Sequence, residues 1–215
     1  MALIAWFGVL LQLYLSLNQA HIDGRTLWSG LARYTAYFTV LTNLSVAIVA
    51  SLPLLIPQSK LGRVCSQPIV LGCAVTAIAF VGLAYHVLLR HVWDPQGLQL
   101  VANYALHYIT PISFFIYWVI YPRQLKSGYL LAVQWAVYPA AYLVYSMLRG
   151  AMGDTYPYYF IDVNLIGYGQ VLINAVALSV IFMLLGTFIL WLAKLRQKAF
   201  TWPINNQKTH YTALS

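Results

Sequence analysis

Two side chains in this sequence, Thr39 and His107, have the residue types needed for acyl transfer and lie in separate apolar stretches. A threonine hydroxyl is a weak nucleophile unless a base removes its proton. A neutral histidine within hydrogen-bonding distance is the usual base. If the two stretches pack side by side, the pair predicts chemistry in which the threonine attacks an ester carbonyl.

The depth of these residues along their stretches is compatible with a contact. A helix rises about 1.5 Å per residue, which places Thr39 roughly 8 Å and His107 about 9 Å inside the helices predicted for the two stretches. His86 lies four residues before Arg90, at the end of a third stretch, and is expected at a similar depth. Polar side chains inside a span are costly and normally face the bundle interior.

Further polar residues on these stretches are predicted to contact a substrate. Thr42 and Asn43 follow Thr39 by three and four residues and therefore share its helical face. A stripe of tyrosines on another stretch fits ordinary packing in a bundle with the hydroxyls hydrogen-bonded, and it also fits a pocket wall for a lipid-like substrate. The predicted substrate-binding residues are Asn43, Thr42, His86, Tyr104 and Arg149, of which Asn43, Tyr104 and His86 are the candidate donors to an oxyanion.

Pro111 is expected to disturb the helix around His107. It lies four residues after the histidine and has no amide hydrogen to bond the carbonyl of His107. Carbonyls freed at membrane depth need a buried or water-filled environment. The pattern fits both a site around His107 and a simple bend in a bundle helix.

The composition predicts that lipid surrounds most of the chain. Of the 215 residues, 61% are hydrophobic and only 7% are charged, whereas a soluble domain carries about 25% charged residues. Six apolar stretches are long enough to cross a bilayer. We therefore predict an all-α integral membrane protein with one domain over 1–215, made of six transmembrane helices at about 2–19, 34–56, 69–90, 101–121, 129–149 and 167–193, with a tail at 194–215.

The distribution of Lys and Arg predicts the orientation of these helices. If both termini lie on one side, that side holds eight of the 12 basic residues and the other side holds four. Basic residues accumulate on the cytoplasmic side, so both termini are predicted to be cytoplasmic (N-in, C-in), with the pocket on the outer side. The host would be a bacterial inner membrane or a eukaryotic endomembrane or plasma membrane. Because the basic residues lie at helix ends rather than in runs, the net charge of +8 does not predict nucleic-acid binding.

The connection between the fifth and sixth predicted helices is the longest in the chain and belongs to the predicted outer side. It is rich in Gly, Tyr and Asp and contains Tyr156-Pro157-Tyr158. A lid over the predicted site fits this composition. A belt of aromatic residues at the membrane interface fits it too.

Two short motifs resemble segments of the androgen-induced-gene family. They are Tyr37-Phe38-Thr39-Val40-Leu41-Thr42-Asn43 in the second predicted helix and Leu106-His107-Tyr108-Ile109-Thr110-Pro111 in the fourth. The family comprises six-pass membrane proteins, and its characterised members are threonine hydrolases that cleave fatty acid esters of hydroxy fatty acids. The resemblance implies that Thr39 is the nucleophile, that His107 is the base, that a fatty acyl ester or membrane lipid is the substrate, and that no metal or organic cofactor is needed.

The resemblance also has a looser part and one departure. Arg149-Gly150, Tyr156-Pro157 and the run from Phe160 to Asp162 are similar to elements of the family's last outer loop. Thr42 stands at a position that is acidic in the family's animal members.

Two other functions fit parts of the same pattern. His86 and His107 on adjacent helices could be the axial ligands of a haem, although six-pass cytochromes of this kind usually carry four histidines in their spans. A transporter or channel is the other alternative. None of the four acidic residues falls within a predicted helix, where it could relay protons or ions.

Overall fold

The computed structural model describes residues 1–121, 128–153 and 155–212, with side chains through Gln197. The described residues are 84% helical and contain no β-strand. Five helices in this part of the chain are long and apolar enough to cross a membrane: Ala2–Ile22, Phe38–Leu55, Pro68–Leu89, Leu130–Ala151 and Val163–Gln197. The predicted all-α class is therefore confirmed, and the apolar helices indicate a membrane protein.

The order of the helices follows the apolar stretches of the sequence, with additional short helices between them. The α-helices are α1 (Ala2–Ile22), α2 (Leu27–Thr35), α3 (Phe38–Leu55), α4 (Lys60–Cys65), α5 (Pro68–Ala84), α6 (Gly97–Tyr104), α7 (Thr110–Ile120), α8 (Leu130–Trp135), α9 (Val137–Ala151) and α10 (Val163–Thr212). α10 is kinked at Gly167, which has a non-helical conformation with φ 74°. Two π-helical segments, Tyr85–Leu89 and Ala105–Ile109, continue α5 and α6 directly, and a 3₁₀ turn at Tyr159–Ile161 precedes α10.

The second predicted helix, 34–56, differs from the structure at its start. A separate helix, α2, begins after Thr26, whose side chain accepts a hydrogen bond from the Ser29 amide. The chain then leaves helical geometry at Tyr37, and α3 begins at Phe38. Thr39 therefore lies in the first turn of a helix, where backbone amides have no acceptor within the helix.

The fourth predicted helix, 101–121, contains a π turn beside Pro111. In this turn the amide of Thr110 bonds the carbonyl of Ala105 rather than that of Leu106. The next residue, Pro111, has no amide hydrogen. The carbonyl of Leu106 therefore has no donor from its own helix, and the disturbance predicted near His107 takes the form of a π turn.

The side chain of Asn43 supplies the missing donor from α3. Its Nδ2 donates to the carbonyl of Leu106 at 3.1 Å and to the carbonyl of Thr39 at 2.8 Å. Asn43 is fully buried, so no water is needed to satisfy these groups. One amide therefore holds the first turn of α3 against the π turn that carries His107.

The core lies where α3, α5, α7 and α10 meet, and it includes the fully buried Val46, Ile78, Phe114 and Phe182. Gly82 on α5 lets the π turn approach closely. A Cβ at this glycine would lie 3.1 Å from the carbonyl oxygen of His107 and 3.3 Å from Cβ of Pro111.

The fifth predicted helix, 129–149, is divided at Ala136 into α8 and α9. Pro139 has no amide to bond the carbonyl of Trp135, so the regular hydrogen-bond series is interrupted there. Two tyrosines of α9, Tyr142 and Tyr145, bond to backbone carbonyls at the end of α2. The Tyr142 hydroxyl donates to the carbonyl of Ala36 at 2.8 Å.

The last helix extends beyond its predicted end and carries a cation contact there. α10 continues past the predicted boundary at 193, because the residues from Lys194 to Gln197 are good helix formers. At this end Arg196 donates to the carbonyl of Trp118 and lies over the Trp118 ring at 3.6 Å. Arg123, Lys126 and Asp154, which contribute to the predicted charge distribution, lie outside the described residues.

Replacing Asn43 tests how much this side chain contributes to the fold. In Asn43→Ala the Leu106 carbonyl remains buried without a donor, which is expected to cost about 1–3 kcal/mol. Thermal unfolding in detergent should show a lowered midpoint. Thr187→Ala is the matched control, because Thr187 only bonds the carbonyl of Met183 in its own helix. Equal midpoints for the two variants would contradict the role assigned to Asn43.

Candidate active site

His107 lies on the second π-helical segment with a hydrogen-bonding partner at each ring nitrogen. Its Nδ1 is 3.0 Å from the backbone oxygen of Asn103, one turn earlier. A carbonyl only accepts hydrogen bonds, so Nδ1 carries the proton of the neutral ring and Nε2 is the basic nitrogen. Nε2 lies 3.3 Å from Oγ1 of Thr39. The threonine hydroxyl can therefore donate to a nitrogen that is free to take its proton.

Tyr85, the first residue of the other π-helical segment, holds the imidazole ring in place. Its ring stacks on that of His107 with 4.0 Å between centroids and 21° between planes. Nδ2 of Asn103 donates to the Tyr85 hydroxyl at 2.7 Å. Asn103 thus positions His107 through its backbone and Tyr85 through its side chain. The two π segments meet at this stack, which fits the frequent occurrence of π turns at functional sites.

Thr39 is nearly buried, with 8% of its surface exposed, and its amide points away from the helix. The N–H of Thr39 donates to the hydroxyl of Tyr158 at 3.4 Å. The positive end of a helix dipole favours negative charge at the same place. An oxygen that gains negative charge beside the Thr39 hydroxyl would therefore have donors within reach.

Tyr158 comes from the outer loop, which we define as residues 155–162. Its ring stacks on Phe160 at 5.1 Å between centroids and meets the edge of Tyr37 at 5.8 Å. Burial raises the pKa of Tyr158 to about 12, while hydrogen bonds with the side chain and amide of Thr39 act in the opposite direction. The phenol therefore keeps its proton at neutral pH and can donate a hydrogen bond.

The outer loop is attached to the helices on both of its sides. At the end of α9, Gly150 leaves room for the ring of Tyr156, which a Cβ at this position would overlap. On α10, Nδ2 of Asn174 donates to the carbonyl of Phe160 at 2.9 Å. These two attachments place Tyr158 over Thr39.

Two cavities of different character meet at the Thr39–His107 pair. The apolar cavity, of about 90 Å³, lies between α3, α5, α9 and α10, with Phe38, Phe80 and Leu178 in its walls. The polar vestibule, of about 740 Å³, lies between α1, α2, α6 and the outer loop, with His107 in its wall. The vestibule also carries several polar side chains, including Gln12, Gln19, Arg33 and Gln99. Thr39, Tyr85, Leu89 and Tyr158 border both cavities.

Thr42 and Asn43, predicted to contact the substrate, lie behind the nucleophile rather than at a cavity wall. Thr42 is 1% exposed, and its Oγ1 lies 3.0 Å from the hydroxyl of Tyr138. Asn43 is occupied with the carbonyls of α3 and the π turn. Neither side chain lines the apolar cavity or the vestibule.

The other three predicted substrate-binding residues also lie away from the two cavities. His86 is exposed, with Nε2 at 2.9 Å from Arg90 and Nδ1 at 3.2 Å from the Tyr108 hydroxyl. Tyr104 is 51% exposed and packs on Tyr108. Arg149 lies in the last turn of α9 and is half-buried. The residues that the structure brings together are thus Thr39 and His107.

Sequence reasoning missed three residues of the site: Tyr85, Asn103 and Tyr158. For Asn103 a signal existed, since it precedes His107 by four residues on the same helical face. For Tyr158 the Tyr-Pro-Tyr motif pointed to the loop, but not to the tyrosine that reaches Thr39. Tyr85 had no comparable signal, because its stack depends on the contact between two helices.

Comparison with known proteins identified no relative of this chain. No family model, no curated protein and no solved structure matches the chain. The function is therefore argued from the geometry around Thr39 and from the motifs of the sequence.

Substitution of Gly150 tests whether its contact with Tyr156 holds the outer loop in place. In Gly150→Ala the added methyl group displaces the Tyr156 ring, so the outer loop should become more accessible. Limited proteolysis in detergent is expected to cut within residues 155–162 several-fold faster than in the wild type. Gly169→Ala is the control, since a Cβ at Gly169 meets nothing within 4 Å. The same cleavage rate in both variants would show that Gly150 does not hold the loop.

Proposed function

We propose that this protein is a membrane-embedded hydrolase of fatty acyl esters, with Thr39 as nucleophile and His107 as general base. The observation that carries the proposal is the 3.3 Å separation between Oγ1 of Thr39 and Nε2 of His107, with Nδ1 of the same ring held by the Asn103 carbonyl. A nucleophile, a base and a group that orients the base are the elements of covalent acyl transfer. The resemblance of the two motifs to the androgen-induced-gene family supports the same pair.

In the acylation step, Nε2 of His107 takes the proton of the Thr39 hydroxyl as Oγ1 bonds to the ester carbonyl carbon. The carbonyl electrons move onto the oxygen and give a tetrahedral intermediate. When the intermediate collapses, the bond to the alcohol oxygen breaks and His107 returns the proton to that oxygen. The products are a free alcohol and an acyl ester of Thr39.

Deacylation repeats these steps with water in place of the threonine. His107 lines the polar vestibule, so water can reach Nε2 from that side. The ring takes a proton from the water, whose oxygen attacks the acyl carbon. Collapse of the second intermediate returns the proton to Oγ1 of Thr39 and releases a fatty acid.

Two donors support the negative oxygen of both intermediates. The amide of Thr39 and the hydroxyl of Tyr158 lie beside the attacking oxygen and are 3.4 Å apart in the resting site. The carbonyl oxygen of the ester would replace this contact and accept one hydrogen bond from the amide of Thr39 and one from the hydroxyl of Tyr158. Preorganised donors of this kind are worth most in a low-dielectric site.

The proposal includes the six-helix topology expected from the sequence. α6, the second π-helical segment and α7 follow one another without a break and are proposed to form the fourth span. Both termini would be cytoplasmic, as the basic residues indicate, and the polar vestibule would open on the outer side. The enzyme would then receive water from outside the cell or from an organelle lumen.

Covalent labelling tests the identity of the nucleophile. A fluorophosphonate probe is expected to form an adduct on Thr39 that is lost in Thr39→Ala and kept in Thr42→Ala, a matched control on the same helix. His107→Gln should lower ester turnover by about 10²–10⁴-fold, as loss of a general base does. Peptide mapping by mass spectrometry locates the adduct. An adduct on Thr42, on a serine or on no residue would refute the mechanism.

Removal of one hydroxyl tests the role of Tyr158. Tyr158→Phe is expected to lower kcat by about 10²–10³-fold, the effect of losing one oxyanion donor. The KM should change little, because the donor acts on charge that develops only in the transition state. Tyr156→Phe, in the same loop, is the control and should keep normal kcat. A normal kcat in Tyr158→Phe would exclude this residue from the mechanism.

A further inference from the structure

The apolar cavity has no part in the proton transfers described above, yet it ends at the nucleophile. Its walls are formed by apolar side chains, including Phe80 and Val81 of α5 and Leu178 of α10. The hydroxyl of Ser179, also in the wall, donates to the carbonyl of Ala175 in its own helix. The cavity therefore offers few polar groups to a ligand apart from Thr39 and the tyrosines at its end.

The position of the cavity suggests how a ligand would enter. It lies between α9 and α10, and α10 packs mainly on α5 and α8 while making few contacts with α9. Leu143 of α9 and Leu178 of α10 are only half-buried. Exposed apolar residues such as Val144 and Val176 continue both surfaces. The gap between these two helices thus opens on an apolar outer surface of the kind that contacts hydrocarbon in a bilayer.

We infer that the apolar cavity binds the acyl chain of the ester and that the chain enters from the membrane between α9 and α10. This inference rests on the proposed function, because it uses Thr39 as the reacting group at the inner end of the cavity. The ester carbonyl lies at Thr39, and the alcohol portion lies in the polar vestibule. Tyr85 and Tyr158 border both spaces and separate the chain from water.

This arrangement predicts how rate depends on chain length. Burial of one methylene is worth a factor of about fourfold in kcat/KM. The value of kcat/KM should rise by about this factor with each added carbon until the cavity is filled. This gain applies to short esters that are taken up from water. Longer esters partition into lipid or detergent first, so their additional methylenes move only from one apolar environment to another and gain little.

Residue Ala175 allows the cavity to be shortened without touching the reacting groups. It is 8% exposed and lies in the cavity wall on α10. Ala177 on the same helix is exposed and is absent from the walls of both cavities. Ala175→Leu and Ala177→Leu therefore add the same side chain, once inside the cavity and once on the outer surface of the helix.

The experiment measures kcat/KM of the full-length protein in detergent for p-nitrophenyl acetate, butyrate, octanoate and dodecanoate. Ala175→Leu is expected to lower the octanoate-to-acetate ratio on the order of tenfold, and Ala177→Leu should keep the wild-type ratio. Leu178→Ala removes side-chain volume from the cavity wall and thereby enlarges the cavity, so it should move the preference toward dodecanoate. It provides the test if Ala175→Leu does not fold.

The possible outcomes separate this inference from the function it rests on. If the wild type cleaves none of the esters and Thr39 takes up no fluorophosphonate, the proposed function fails and the inference fails with it. If the wild type cleaves the esters through Thr39 but the ratio is unchanged in Ala175→Leu and Leu178→Ala, the hydrolase stands and the acyl site is wrong. A shifted ratio in both variants, with none in Ala177→Leu, supports the acyl site.

Discussion

In the hydrocarbon of a membrane, each backbone carbonyl needs a donor from the protein itself, since lipid supplies none. The carbonyl of Leu106 loses both helical donors, one to the π turn and one to Pro111. Asn43 replaces them with a side-chain amide that also bonds the carbonyl of Thr39. The group that satisfies the disturbed helix thus also ties the first turn of α3, with Thr39, to the π turn that carries His107.

The base is oriented differently from that of a Ser-His-Asp enzyme. There a carboxylate fixes the tautomer and stabilises the charged imidazole. Here the Asn103 carbonyl fixes the tautomer and the Tyr85 ring stacks on the imidazole. A neutral carbonyl fits a site of low dielectric constant, where an unpaired buried carboxylate is costly. It stabilises the protonated ring less than a carboxylate does, so the proposed reaction would be slower than that of a Ser-His-Asp enzyme.

The Thr39 hydroxyl lies at the boundary between two cavities of different polarity. On one side lies the apolar cavity, and on the other lies a vestibule whose lining includes several glutamines and Arg33. An amphiphilic ester has the same division, with its carbonyl at the boundary. Because Tyr85 and Tyr158 belong to both walls, the boundary is held from the first π-helical segment and from the outer loop. The substrate would then be aligned both by direct contacts and by the different solvation of its acyl and alcohol portions.

The sequence by itself determined the helical membrane class, because apolar length is a local property. It predicted the pair of Thr39 and His107 from their residue types and depth together with the resemblance of two motifs to a known family. It also located the disturbed helix, since Pro111 lacks an amide hydrogen in any fold. The break before Phe38 was not visible, because neither Pro nor Gly marks it in the run from Tyr34 to Thr42. Only the tertiary structure distinguished Tyr158 from Tyr156 in one motif. Tyr158 contacts a residue 119 positions away, and the packing of Tyr156 on Gly150 decides which of the two rings faces Thr39.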